Sequence, residues 1–233
     1  MSAGTDRGAD GIRALLLADG AAPTRAGLDR AWPGWDAGVG LVIAADGGAR
    51  LAGPLGLRVD RWVGDADSVD PTTLDALRAA GVPVEMVATE KDESDTELAL
   101  LAAVAAGATD VTILGAIGGA RFDHALANVG LLAHPVLAGI PARLLDDATR
   151  VTLLVGPATA TLDGRPGDLV SLLPFDTAVT GVTTSGLRYA LAGEPLPSGP
   201  ARGLSNVRTT ARATVTTRAG RLLIVETPDK VRP

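Results

Sequence analysis

Short apolar runs that break off at glycine or aspartate recur through the first part of the chain: ALLLADG (14–20), GLVIAADGG (40–48), RWVGDADS (61–68), VPVEMVA (82–88) and DVTILGAIGG (110–119). Each reads as a strand. Between them PTTLDALRAAG (71–81) and DTELALLAAVAAG (95–107) have helical spacing and end in glycine, a common helix stop, and ALANVGLLA (125–133) follows the last run as another helix. Continuous apolar strands separated by helices predict a parallel sheet covered on both faces, with ligands bound beyond the carboxyl ends of the strands.

From Arg150 the pattern changes. RVTLLVG, ATATLDG, DLVSLLPF, AVTGVTT, ARATVTTRAG and RLLIVET are short runs rich in Val, Thr and Leu, divided by Gly, Pro and Asp, with no helical segment among them. An antiparallel sandwich or barrel follows. The expected fold class is therefore α/β: an N-terminal Rossmann-like parallel-sheet domain, residues 1–148, followed by a C-terminal all-β sandwich domain, residues 149–233. No low-complexity linker separates the two, so they are expected to pack closely.

Composition narrows the chemistry. Across 233 residues the formal net charge is −6 and the arginines are scattered, so there is no footprint for a nucleic-acid backbone. No stretch reaches the roughly 20 apolar residues that span a bilayer, and MSAGTDRGADG is not a signal-peptide pattern, so a cytoplasmic protein is expected. The chain has no cysteine and two histidines, His124 and His134. A bound metal would thus be a hard, oxygen-ligated ion such as Mg²⁺.

Candidate chemistry gathers at the predicted strand ends. Asp46 with Gly47 and Gly48 closes one strand, and Asp65 and Asp67 close the next. Two carboxylates two residues apart can face one cation where the backbone turns, although Gly, Asp and Ser also simply form turns. Lys91, Asp92 and Asp95 precede or open a helix, where acidic residues also complement the dipole and Ser94 with Glu97 fits a capping box. Lys91 is one of two lysines in the chain, and a compact ammonium beside carboxylates suits a nucleotide phosphate. Gly118 and Gly119 lead through Arg121 and Asp123 into a helix, a setting in which backbone N–H groups approach an anion, while Asp123 also fits a helix cap. Neither GxGxxG nor the GxxxxGK[ST] loop is present. These residues point to nucleotide-dependent group transfer with a metal.

In these same residues the sequence resembles the thiamine pyrophosphokinase family, whose motifs appear in order as ADGG (45–48), GDxDS (64–68), KDxSDTELAL (91–100) and GGxRxDH (118–124). SLLPF (171–175), TTSGLRYAL (183–191) and the pair Ser205-Asn206 resemble the family's thiamine-side segments. The resemblance implies an α/β catalytic domain joined to a β-sandwich, a homodimer with thiamine between subunits, and ATP and Mg²⁺ as co-substrate and cofactor. It implies metal binding by Asp65, Asp67 and Asp95, with Asp46 and Asp92 nearby. The phosphates of ATP would meet Asp46, Gly47, Lys91, Gly118, Gly119 and Arg121. The polar cluster would include Asp123, and Asp92 or Asp95 would be the base. Ser185, Tyr189, Ser205 and Asn206 would contact thiamine. Many relatives carry Trp where this chain has Tyr189, and a larger apolar residue where it has Ala66. Two other readings stay open on the residues alone: a metal-dependent nucleotide-sugar transferase, because Asp65-Ala66-Asp67 fits a DxD pattern, and a non-catalytic thiamine- or nucleotide-binding protein.

Overall fold

A computed structural model describes residues 11–229. The strands are β1 (Ile12–Leu17), β2 (Val39–Ala45), β3 (Arg61–Gly64), β4 (Val84–Met86), β5 (Ala108–Leu114), β6 (Ala142–Leu145), β7 (Arg150–Val155), β8 (Ala158–Asp163), β9 (Leu169–Pro174), β10 (Ala178–Ser185), β11 (Ala192–Pro197), β12 (Asn206–Val207), β13 (Arg212–Thr217) and β14 (Arg221–Thr227). The α-helices are α1 (Arg25–Ala31), α2 (Ala52–Leu55), α3 (Pro71–Ala79), α4 (Asp95–Ala105) and α5 (Phe122–Leu131).

Ten strands form one sheet in the order β12-β9-β14-β7-β6-β5-β1-β2-β3-β4. Strands β1 to β6 pair in parallel, and β6 pairs with β7 antiparallel. A second sheet, β11-β10-β13-β8, is antiparallel.

Alternation along the parallel strands feeds two cores, as expected of a sheet buried on both faces. Ala14 and Leu16 of β1 pack with Ala99, Leu100 and Ala103 of α4, whereas Leu15 and Leu17 pack with Leu28 of α1, Leu55 of α2 and Leu74 of α3. A third core lies between the two sheets, where Val170, Leu172, Leu222 and Ile224 meet Val179, Val182, Ala213 and Val215.

Each apolar run named from the sequence is a strand, and the three helical patterns are α3, α4 and α5. Helix α3 starts where Asp70 caps Thr72 N–H with Pro71 in its first turn, and α4 starts at the Ser94 cap. The patterns did not reveal α1, α2, β6, β11 or β12. Helix α1 is about two turns of mixed residues closed by Trp32, α2 and β12 span only four and two residues, β6 is the short run ARLL, and β11 contains two prolines, which disfavour a strand reading.

The expected division near residue 148 falls in the turn between β6 and β7, where Asp146 Oδ1 accepts the N–H groups of Ala148 (2.7 Å) and Thr149 (2.6 Å). Hydrogen bonding nevertheless runs through β6 and β7 without interruption. One layer of the β-sandwich is thus the continuation of the α/β sheet, and the two halves share a backbone ladder.

Candidate active site

Strands β5, β1, β2 and β3 are neighbours, so their carboxyl ends line up along one edge. Asp46 follows β2 and opens a 3-10 turn, Asp46–Leu51, with φ at 42°, a left-handed value that Asp tolerates better than most side chains. The Asp46 backbone carbonyl is held by Trp62 Nε1 (3.0 Å). Its carboxylate is 3% exposed; Oδ2 accepts the Ser68 N–H (3.0 Å), and Oδ1 has no hydrogen-bond partner among the described residues. Gly64, at the end of β3, leaves room for this side chain: a Cβ there would stand 2.8 Å from that of Asp46.

Beyond Gly64 the chain turns at Ala66 (φ 67°), which brings Asp65 and Asp67 to one side. The Asp67 N–H donates to Asp65 Oδ1 (3.2 Å), and Ser68 Oγ donates to Asp67 Oδ1 (2.7 Å). One carboxylate oxygen from each of Asp46, Asp65 and Asp67 lies within 4.8 Å of the others. Lys91 Nζ sits 3.4 Å from Asp65 Oδ2 and 3.1 Å from Asp95 Oδ1. The ammonium therefore ties the first turn of α4 to the loop after β3.

Electrostatics follow this arrangement. Burial, then the charge of Asp95, pushes the Asp46 carboxyl up to about 6, against the opposing Ser68 hydrogen bond. Burial also acts to raise Asp65, but the Asp67 N–H and the Lys91 charge outweigh it and hold Asp65 below the ordinary range. Desolvation works against the Lys91 charge, yet Asp95 and Asp65 keep its ammonium more firmly protonated than usual.

The glycine turn lies after β5. Gly118 and Gly119 have φ of 74° and 84°, and the turn packs on the loop after β1, where Gly20 N–H donates to Gly115 O (2.7 Å). Arg121 precedes α5 and forms a two-pronged ion pair with Asp123 (3.0 and 2.6 Å), with both side chains exposed. The Arg121 hydrogen bond holds the Asp123 carboxyl well below its ordinary range. Asp92 is exposed beside Lys91, and His124 is exposed in the first turn of α5.

Two further residues of this edge escaped the motif reading. Asp19 follows β1 and pairs with Arg50 in the 3-10 turn (2.8 Å), and the Gly47 backbone lies against the Asp19 carboxylate. Their signal in the sequence is position alone, Asp19-Gly20 closing the first apolar run.

The thiamine-side candidates lie at the other end of the molecule. Ser185 ends β10 and shares a hydrogen bond with Thr214 Oγ1 (2.7 Å). Tyr189 is 56% exposed, and its backbone is clamped by Asn206, whose Oδ1 accepts the Tyr189 N–H (2.9 Å) and whose Nδ2 donates to the Tyr189 carbonyl (2.8 Å). Asn206 itself is buried, so its amide holds Tyr189 in place. Ser205 takes a left-handed backbone (φ 55°) and donates its N–H to Ser171 Oγ (3.0 Å).

Three clustered carboxylates, a lysine bridging one of them to a helix start and a glycine turn, all beyond the carboxyl ends of a parallel sheet, define an α/β protein with a charged cluster at the edge where such sheets bind ligands. The family model described as "Thiamin pyrophosphokinase, catalytic domain" matches residues 37–144, and that described as "Thiamin pyrophosphokinase, vitamin B1 binding domain" matches residues 159–222. The chain belongs to the thiamine pyrophosphokinase family. The thiamine pyrophosphokinase of Bacillus subtilis (strain 168) is 26% identical over 189 residues, covering 81% of this chain and 88% of that protein. The crystal structure of the Bacillus subtilis thiamine pyrophosphokinase superposes with a TM-score of 0.80 at 25% identity, covering 93% of this chain and 99% of that one. The thiamin pyrophosphokinase structure from Geobacillus thermodenitrificans gives 0.77 at 27% identity, over 94% and 99%.

Proposed function

We propose that this protein transfers the diphosphate of ATP to the hydroxyethyl oxygen of thiamine, giving thiamine diphosphate and AMP. The observation that carries the reading is the Asp46, Asp65 and Asp67 cluster with Lys91, set in the half of the chain that matches the family's catalytic domain. In this reading residues 1–148 carry ATP and residues 149–233 carry thiamine. The sugar-transferase and binding-protein alternatives lose ground because both halves match one family.

The donor set fits a Mg²⁺ ion. All three ligands are carboxylates, and the buried Asp46 Oδ1 lacks any hydrogen-bond partner among the described residues. Asp46, which the sequence placed beside the metal ligands, lies with Asp65 and Asp67, and Asp95 faces the cluster through Lys91. When bound there, the ion supplies neutralisation of phosphate charge.

In the transfer a bond forms between the thiamine oxygen and the β-phosphorus, and the bond to the oxygen bridging the α- and β-phosphorus breaks to release AMP. Lys91 offsets charge on the phosphates. The Gly118-Gly119 turn presents backbone N–H groups beside the start of α5, and Arg121 adds a fork of donors. Asp92, exposed and outside the carboxylate cluster, takes the hydroxyl proton. Across the subunit boundary the Tyr189 ring attracts the cationic thiazolium.

The distance between the two groups of residues supports a homodimer. The acidic cluster sits at β2 and β3, whereas Asn206 and Tyr189 sit at β12, seven places from β2 in the sheet order. At about 4.8 Å per strand the two half-sites of one chain lie on the order of 30 Å apart. Thiamine held by Tyr189 of one protomer would reach the phosphates held by its partner.

The decisive experiment incubates the protein with ATP, thiamine and Mg²⁺ and follows nucleotide and thiamine esters by chromatography. AMP and thiamine diphosphate in equal amounts are expected. ADP with thiamine monophosphate would replace the proposal with an ordinary kinase, and no ester at all would overturn it.

A further inference from the structure

The acidic cluster lies at the carboxyl ends of β2 and β3, and a second concentration of charge lies on the sheet face beneath α1, running from Arg13 near the start of β1 to Arg150, which pairs with Leu145 at the end of β6. Arg13 near the start of β1, Arg143 in β6 and Arg150 at the start of β7 line a cavity of about 480 Å³ with Trp32, Trp35 and, from the loop after β8, Arg165. That volume suits a nucleotide-sized molecule. Further along the same strands Leu15, Leu17 and Leu145 belong to the core beneath α1, so the arginines interrupt an otherwise apolar face.

Guanidinium groups outnumber the carboxylates that serve them. Asp110 bonds Arg143 (2.8 Å) and also lies 3.7 Å from Arg13 Nε, while Glu226 serves both Arg150 (2.7 Å) and Arg208 (2.8 Å). The two acids that line the cavity itself are committed elsewhere. Asp163 pairs with Arg212 (2.9 Å), and Asp168 accepts the backbone N–H groups of Arg165 and Asp229. The exposed Arg165 guanidinium has no carboxylate partner among the described residues. Arg208 is 1% exposed, its Nε has no hydrogen-bond partner among the described residues, and that nitrogen lies against Gly164, itself part of the cavity wall. Arg150 is held over the Trp32 ring at 4.7 Å, and Trp32 Nε1 is fixed by the Asp146 carbonyl (2.7 Å). Positive charge is thus concentrated and oriented here, in a chain whose net charge is −6.

We propose that this cavity is a second ligand site, separate from the acidic cluster, that takes a phosphate- or diphosphate-bearing small molecule. Guanidinium forks match phosphate oxygens two at a time, and donors left over from ion pairs shared between arginines are available for that purpose. The proposal stands independently of the transferase reading.

Trp32 and Trp35 both line the cavity, so their fluorescence reports its occupation. Inorganic pyrophosphate titrated into the protein in EDTA is expected to change the emission saturably. Arg165→Ala, an exposed loop substitution, should weaken that binding by at least about tenfold. Arg121→Ala, at the catalytic edge, should leave it within about twofold. Titrations with AMP and with thiamine diphosphate then separate the two ester sources, the tighter binder naming the ligand class. No saturable change below about 10 mM, equal affinity in wild type and Arg165→Ala, or a loss confined to Arg121→Ala would each overturn the proposal.

Discussion

Asp46 combines a left-handed backbone, near-complete burial and an oxygen without a hydrogen-bond partner among the described residues, each of which carries an energetic cost that a bound cation would offset. Its carboxyl titrates near 6 instead of 3.8, so the folded chain holds this proton more tightly than the unfolded one. Stability from this group is fully present below pH 3.8 and is lost as pH rises through about 6. In EDTA, Asp46→Asn is therefore expected to gain stability over wild type between pH 4 and pH 7.5, by at most about 3 kcal/mol. Urea melts at both pH values measure it, and parallel pH curves for the two proteins would defeat the burial argument. Asp67 is exposed and has fewer internal ties. Asp67→Asn should lower turnover by at least about 10²-fold and lack the rise in melting temperature that Mg²⁺ is expected to give the wild type. Wild-type turnover in that variant would remove Asp67 from the site.

Among the elements, β12 shows how a minimal strand can brace a loop. It spans two residues and pairs with β9, yet through Asn206 it pins the loop that presents Tyr189. Replacing Asn206 by Ala leaves the N–H and carbonyl of Tyr189 without these partners, at a cost of about 1–3 kcal/mol. Asn206→Ala is expected to raise the thiamine KM while the ATP KM stays put, and equal changes in both constants would place Tyr189 away from thiamine. The catalytic elements show a comparable dependence on backbone fit. The loop after β3 can approach Asp46 because Gly64 has no side chain, and α4 brings Asp95 to Lys91 because Ser94 caps its first turn.

In the whole molecule, one ten-stranded sheet lies between the acidic cluster and Tyr189, and the proposal that the two meet across subunits is open to a direct test. Asp67→Asn disables the phosphate half and Tyr189→Ala the thiamine half. Mixed in equal amounts and allowed to exchange subunits, the two variants should recover roughly one quarter of wild-type activity at low thiamine, because half the dimers are mixed and each carries one intact site. Activity no greater than the sum of the separate variants would show that each chain completes its own site. The sequence by itself determined the strands and helices with strong periodicity, the parallel-then-antiparallel order and the strand-end positions of Asp46, Asp65, Asp67, Lys91 and Gly118, because these rest on local pattern and on residue types that few other roles require. Tertiary structure alone decided that Asp46 joins Asp65 and Asp67 while Asp95 turns to Lys91, that Asn206 braces Tyr189, and that the sheet runs unbroken past residue 148. Which carboxylates share a space depends on strand order and on the path of each loop, and pairing between β6 and β7 is a contact between segments whose own sequences only indicate that each is extended.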